Sequence, residues 1–154
     1  MNPIERVQCV LEGCLPDRPP LSFWHHFPTD EVCGPAAVQA HVSHLETYGL
    51  DFLKVMNDYY YPAPAGLDTV RTKQDLERFT TFDVERSEWR EQFKALSIIT
   101  SEIKGRAHFI DTVFDPWQSI RRSAAGENME HLVQHEPQAL HEALNRVADN
   151  LIAY

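Results

Sequence analysis

The sequence predicts an α/β fold in which three parallel strands are covered by helices. Three short apolar segments with strand character, residues 21–27, 52–57 and 107–115, alternate with helical segments along the chain. This alternation is typical of βαβ units, whose strands run parallel and whose crossovers are right-handed. The strands are apolar on both faces, so helices must cover both sides of the sheet or a barrel must close around them.

Apolar periodicity and start and stop residues predict the helices. The first begins at Pro3 behind the cap Asn2 and ends before Gly13. The later helices are predicted to begin at Pro35, Thr72, Ser87, Trp117 and Pro137, and three of them to end at Gly49, Gly105 and Gly126.

The chain finishes at Tyr154 inside a helical pattern, which predicts that further sequence follows.

Length and composition indicate one soluble domain. A chain of 154 residues, 43% of them hydrophobic, buries about 70% of its surface on folding. It has no apolar run of the ~18 residues that a membrane span needs, and its start lacks the features of a secretory signal. We therefore expect a cytoplasmic protein with no membrane partner. Three scattered cysteines, without a Cys-x-x-Cys pair, favour reduced thiols over disulfides or structural zinc.

The net charge of −9 argues against nucleic acid as a partner. Binding to a phosphate backbone requires a basic face that releases counterions. An anionic small ligand remains compatible with this charge, because a pocket needs only a few well-placed arginines.

Four sequence landmarks occur in a fixed order: RVQCVLEGCLPDRPPLSFW (6–24), YGLDFLKVMND (48–58), DTVFDPWQSIRRSAAG (111–126), and a helix that opens with Glu136 and Pro137. Together they resemble the N-terminal half of the uroporphyrinogen decarboxylase family. The resemblance implies a partial (β/α)8 TIM barrel, about its N-terminal half, because a whole barrel needs about 250 residues. Residues 1–154 would then form a single domain truncated at its C-terminus.

The resemblance also implies a carbon-carbon lyase that decarboxylates a tetrapyrrole or related carboxylated substrate without a cofactor. In the family, an acidic residue after the second strand stabilises the protonated ring intermediate, and Asp58 stands in that place. His25 stands near a family arginine that binds substrate carboxylates, and Arg122 stands where the family has a tyrosine. The complete site is not present in this chain.

The residue types fit these roles, although each also has an ordinary structural explanation. A carboxylate at a strand end among aromatic rings stabilises positive charge, but Asp58 could also cap a turn. Arg122 could bind a carboxylate with two parallel hydrogen bonds, or lie solvated on the surface. His25 could act as acid, base or ligand, or simply hydrogen bond at a strand end. Tyr59 begins a run of three tyrosines that could stack on a ring-shaped ligand, although packing is the expectation for at least two of them.

Other charged and histidine residues are interpreted as structural. Arg18 is expected to form a structural ion pair. The pairs His41 and His44, and His131 and His135, have helical spacings that could share a metal ion, but we expect both pairs on the surface. No metal site is predicted within the chain.

Two alternatives to the decarboxylase remain open. The first is a corrinoid- and zinc-dependent methyltransferase of the same superfamily, whose zinc ligands would come from the half of the barrel that this chain lacks. The second is a non-catalytic half-barrel that forms a homo-oligomer or pairs with a complementing half, because its sheet edges and apolar interior would be exposed.

Overall fold

The structure is a computed structural model that describes residues 1–31, 34–56 and 60–154. It is 58% helical. None of the helices in these ranges is long and apolar enough to cross a membrane. The regular elements are α1 (Pro3–Leu11), α2 (Gly34–Tyr48), β1 (Phe52–Lys54), α3 (Lys73–Glu77), α4 (Trp89–Ile103), β2 (His108–Ile110), α5 (Pro116–Ile120), α6 (Met129–His135) and α7 (Pro137–Ala153), with 3₁₀ turns at Thr29–Glu31, Val84–Arg86 and Gly126–Asn128 and a π-helical turn at Arg121–Ala125.

The prediction of three parallel strands forming half of a TIM barrel is wrong. Within the described residues the sheet has only two short strands, β1 and β2, paired in parallel with Phe52 opposite His108. Residues 21–27 form no strand in the structure. A strand needs neighbouring backbones to pair its amides and carbonyls. Here the carbonyl of Phe23 accepts a hydrogen bond from the His44 ring at 2.9 Å. This carbonyl is therefore paired with a side chain and not with a neighbouring strand.

The predicted helix boundaries are confirmed where local capping residues set them. Asn2 accepts a hydrogen bond from the Glu5 amide, and the Glu5 carboxylate accepts one from the Asn2 amide, both at 2.9 Å. This reciprocal capping box satisfies two amides that the helix itself leaves unpaired. Thr72 and Asp75 form the same arrangement at the start of α3.

The chain divides into two compact units. The first unit comprises Met1–Asp58 and Glu91–Thr112, and the second comprises Tyr59–Arg90 and Val113–Tyr154. In the first unit, the sheet shares its core with α2 and the C-terminal part of α4. This core contains Val38, Val42, Leu45, Leu50, Leu53, Val55, Ala95, Ile99, Ile103 and Ala107.

A buried carboxylate, Asp51, lies immediately before β1 and joins distant segments of the first unit. It is 0% exposed. It accepts hydrogen bonds from the guanidinium groups of Arg6 and Arg18, and from the Leu21 amide at 2.7 Å. Arg6 also donates to Asp17 at 2.7 Å. We call these residues the Asp51 network.

The Asp51 network makes the stability of the first unit depend on pH. Burial raises the pKa of Asp51, but the hydrogen bonds from Arg18, Leu21 and Arg6 together lower it below its ordinary value. A carboxylate with a lowered folded-state pKa adds stability above its unfolded pKa of about 3.9. That contribution is lost as the pH falls through the folded-state value.

In the second unit, α3, α5 and α6 contact α7. Asn150 of α7 is 2% exposed and all of its hydrogen bonds lie inside the unit. Its amide nitrogen donates to the Tyr61 hydroxyl at 2.6 Å and to the Thr80 carbonyl at 3.0 Å. Its amide oxygen accepts from the Phe82 backbone at 3.0 Å. Asn150 therefore fixes two loop segments against α7.

Replacing Asp51 tests the network. Asp51→Asn should lower the free energy of unfolding at pH 7 by about 3 kcal/mol, because two arginines lose a buried charged partner. The difference from the wild type should shrink as the pH falls below about 4, because Asp51 then takes up a proton in the unfolded chain before it does in the folded one. Urea unfolding monitored by circular dichroism measures both quantities.

The matched control for this substitution is Glu46→Gln. Glu46 forms an exposed ion pair with Arg106 in the same unit. Exposed pairs contribute between zero and about 1 kcal/mol, so this variant should unfold close to the wild type. If Asp51→Asn and Glu46→Gln lowered the free energy of unfolding equally, burial of the Asp51 ion pairs would add nothing to their contribution to stability.

Candidate functional site

The predicted site residues fall in different parts of the chain. Asp58 and Tyr59 lie outside the described residues. His25 belongs to the first unit and Arg122 to the second. The surroundings of His25 and Arg122 are therefore described separately.

Arg122 lies on a π-helical turn that follows α5. Asp115 caps α5 by accepting a hydrogen bond from the Gln118 amide at 2.9 Å, and Pro116 occupies the first helical position. The Gly126 amide then donates to the Arg121 carbonyl, five residues earlier, and Gly126 has φ 53°. A residue with a side chain rarely adopts this φ, so glycine permits the exit from the turn. Turns of this type are frequent at functional sites.

Two aromatic rings hold the Arg122 guanidinium. Its central carbon lies 4.1 Å from the centre of the Phe114 ring and 5.1 Å from that of Tyr60. Both distances are within the range of a cation–π interaction. Tyr60 is 60% exposed and Arg122 is also exposed. We call Arg122, Tyr60 and Phe114 the Arg122 clamp.

The guanidinium of the clamp has no hydrogen-bond acceptor, carboxylate or carbonyl, among the described residues. By contrast, Arg6 and Arg18 both donate to Asp51. A stacked guanidinium presents its N–H groups in a plane, which matches the two oxygens of a carboxylate. The clamp is thus suited to bind a carboxylate from outside the chain.

The tyrosine run divides between packing and exposure. Tyr61 is 7% exposed and hydrogen bonds with Asn150. Burial raises the pKa of Tyr61, against a smaller opposing effect of Asn150. Tyr61 therefore packs, as expected for members of this run, whereas Tyr60 is available at the surface.

The expectation that His41 and His44 lie on the surface is wrong. They are 3% and 5% exposed. The His41 Nδ1 atom donates to the Ala37 carbonyl at 2.6 Å, and its Nε2 atom accepts from the Met56 amide at 2.9 Å. The two contacts together require a neutral ring with its proton on Nδ1. The sequence carried a signal for this burial, because His41 falls within the apolar stripe of Val38 and its successors on α2.

The hydrogen bond of His44 requires the other tautomer, with the proton on Nε2. Its Nε2 atom lies 2.9 Å from the Phe23 carbonyl, and a carbonyl can only accept, so Nε2 carries a proton. Its Nδ1 atom is buried and has no hydrogen-bond partner among the described residues. The ring of His44 also makes edge contacts with Phe23 and Tyr48 at 5.3 and 5.0 Å between ring centres.

His25 lies beside this buried histidine. It is exposed, and the centres of its ring and the His44 ring are 4.9 Å apart. His25 lines an open cleft of about 460 Å³ together with Phe27, Glu31 and His44. An exposed imidazole at a cleft can donate a hydrogen bond or a proton to an anionic ligand.

Arg18 forms an ion pair and His131 and His135 lie at the surface, as the sequence predicts. Arg18 forms an ion pair, with Asp51 as its partner. His131 and His135 are both exposed, with their rings stacked 4.2 Å apart. Within the described ranges, no group of three histidine, cysteine or acidic side chains could hold a metal ion.

Comparison with known proteins adds no assignment. No protein-family model matches the chain, and no curated protein matches it.

The two buried histidines of α2 should have opposite tautomers. At a pH where both rings are neutral, His41 should carry its proton on Nδ1 and His44 on Nε2, because their carbonyl partners require it. Long-range ¹H–¹⁵N spectra distinguish the two forms by the shifts of the ring nitrogens. The same tautomer in both rings would contradict the hydrogen bonds described above.

Proposed function

We propose that this chain provides the substrate-binding part of a cytoplasmic enzyme that resembles uroporphyrinogen decarboxylases and acts on a ring compound with several carboxylates. The observation that carries the proposal is the Arg122 clamp, a stacked and exposed guanidinium with no acceptor among the described residues. The four sequence landmarks supply the resemblance on which the choice of substrate rests, although Arg122 itself stands where the family has a tyrosine.

In this proposal Arg122 anchors one substrate carboxylate. Hydrogen bonds to a charged partner contribute about 1.5–3 kcal/mol each, more than bonds between neutral groups. Phe114 and Tyr60 restrict the guanidinium to one plane, so less side-chain freedom is lost when the carboxylate binds. The exposed ring of Tyr60 also gives a planar ligand a surface on which to stack.

His25 and Asp58 enter the proposal through the resemblance alone. The resemblance implies that His25 provides a polar contact to the substrate. Asp58 would stabilise the positive charge that develops on the ring when it is protonated before carbon dioxide leaves. A fixed carboxylate is effective in this role, since it needs no reorganisation as the charge forms.

The two alternatives stay predictions. The methyltransferase would draw its zinc ligands from residues outside this chain, and no observation in the described residues favours it. Pairing with a second copy or another half is tested by light scattering, where a stable 17.8 kDa monomer would exclude it.

Porphyrin binding tests the clamp. The probe is uroporphyrin, the stable oxidised form of the proposed substrate, followed by its fluorescence during titration with the protein. Arg122→Gln should weaken binding by at least about tenfold, since it removes charged hydrogen bonds. Arg122→Lys should weaken it less, because a lysine keeps the charge but loses the planar pair of donors.

Arg121→Gln is the matched control for the porphyrin titration. Arg121 is the neighbouring exposed arginine, so this variant makes the same change in net charge. It should bind uroporphyrin as the wild type does. Equal weakening in both variants would show only general charge attraction, and no binding by the wild type would refute the proposal.

Asp58→Asn tests the chemical step in an enzyme that contains this chain. Turnover of uroporphyrinogen, measured by chromatography of the decarboxylated products, should fall by at least about a hundredfold. The melting temperature should stay nearly unchanged. Asp68→Asn, at an exposed position in the second unit, is the control and should keep full activity. Substantial turnover by Asp58→Asn would remove this residue from the mechanism.

A further inference from the structure

The C-terminus of α1 brings two cysteines together. The Cys14 amide donates to the Cys9 carbonyl at 2.8 Å, and the Gly13 amide donates to the Val10 carbonyl at 3.0 Å. Gly13 has φ 77°. These two bonds and the left-handed glycine define a Schellman motif, in which the residue after the glycine folds back over the last turn. Cys9 and Cys14 occupy the two positions whose side chains meet in this motif.

The two thiols differ in exposure. Cys9 is 8% exposed, Cys14 is exposed, and neither belongs to a disulfide. Burial raises the pKa of the Cys9 thiol, and the Cys14 side chain raises it further, as do the charges of Glu12 and Asp17. Because it is exposed, Cys14 is the thiol that a reagent in solution meets first.

We propose that Cys9 and Cys14 form a reversible disulfide when the protein meets hydrogen peroxide. The Cys14 thiolate attacks a peroxide oxygen, the O–O bond breaks, and Cys14 becomes a sulfenic acid while the other oxygen leaves as water after protonation. The Cys9 sulfur then attacks the Cys14 sulfur and displaces the hydroxyl group, which takes the Cys9 proton and leaves as a second water. Two thiols are oxidised and one hydrogen peroxide is reduced.

The backbone geometry favours a disulfide between Cys9 and Cys14 over further oxidation of Cys14. A disulfide forms without backbone movement only when the two Cα atoms are about 4.4–6.8 Å apart. The hydrogen bond between the Cys14 amide and the Cys9 carbonyl keeps the two backbones close in the reduced protein. Bond formation protects Cys14 from further, irreversible oxidation to a sulfinic acid. The pair is thus a modification site that does not depend on the proposed catalytic function.

Peptide mapping tests the disulfide directly. The native protein is treated with hydrogen peroxide, its free thiols are alkylated, and it is digested without reduction by a protease that cleaves after glutamate. Cleavage after Glu5, Glu12, Glu31 and Glu46 places Cys9, Cys14 and Cys33 on three different peptides. We expect peptide 6–12 to be joined to peptide 13–31, and dithiothreitol to separate them. Peptide 32–46 should remain alkylated.

The Cys9→Ser variant is the control. It should give no joined peptides, and its Cys14 should accumulate as sulfinic acid under the same treatment. Circular dichroism verifies that the variant is folded, and the map of the wild-type protein decides the question even without it. Sulfinic acid at Cys14 of the wild type without a link to peptide 6–12 would overturn the proposal, as would a link to peptide 32–46.

Discussion

The first unit depends on one electrostatic constraint, the burial of Asp51 between two arginines. A carboxylate with no exposed surface is tolerated only when its oxygens are fully hydrogen bonded. Arg6 brings α1 to the carboxylate, and Arg18 brings the connecting segment. The Leu21 amide donates to the Asp51 side chain, and the Asp51 amide donates to the Leu21 carbonyl at 2.8 Å. The segment that contains His25 therefore starts from a fixed point beside β1.

The requirement that buried polar groups be hydrogen bonded separates structural from functional polar groups in this protein. Asn150 and His41 are buried, and each forms hydrogen bonds with backbone or side-chain partners within its own unit. Arg122 is different, since its guanidinium is oriented by two rings but has no acceptor among the described residues. A guanidinium already oriented by two rings loses little side-chain freedom on binding and gains charged hydrogen bonds from an added carboxylate. This contrast is the reason for assigning ligand binding to Arg122.

The candidate site was predictable only in part. Arg122 stood out because it stands where the family that the chain resembles has a tyrosine, and because a guanidinium can bind a carboxylate with two parallel hydrogen bonds. Its orientation by Phe114 and Tyr60 could not be read from the sequence, because cation–π contacts join residues distant along the chain. His41 was misassigned to the surface, since its polarity outweighed its place in the apolar stripe of α2. Asp51 was missed for the same reason, as a charged residue is seldom buried without partners.

The sequence by itself determined where several of the helices begin and end, because those ends are set by interactions among residues a few positions apart. Asn2 with Glu5 starts α1, and Gly49, with φ 58°, ends α2. Only the tertiary structure decided that residues 21–27 are not a strand. A strand exists through backbone bonds to distant segments, and here the His44 ring takes the Phe23 carbonyl instead. Local free energies are encoded in neighbouring residues, whereas pairing and charge burial depend on partners that only the folded chain brings together.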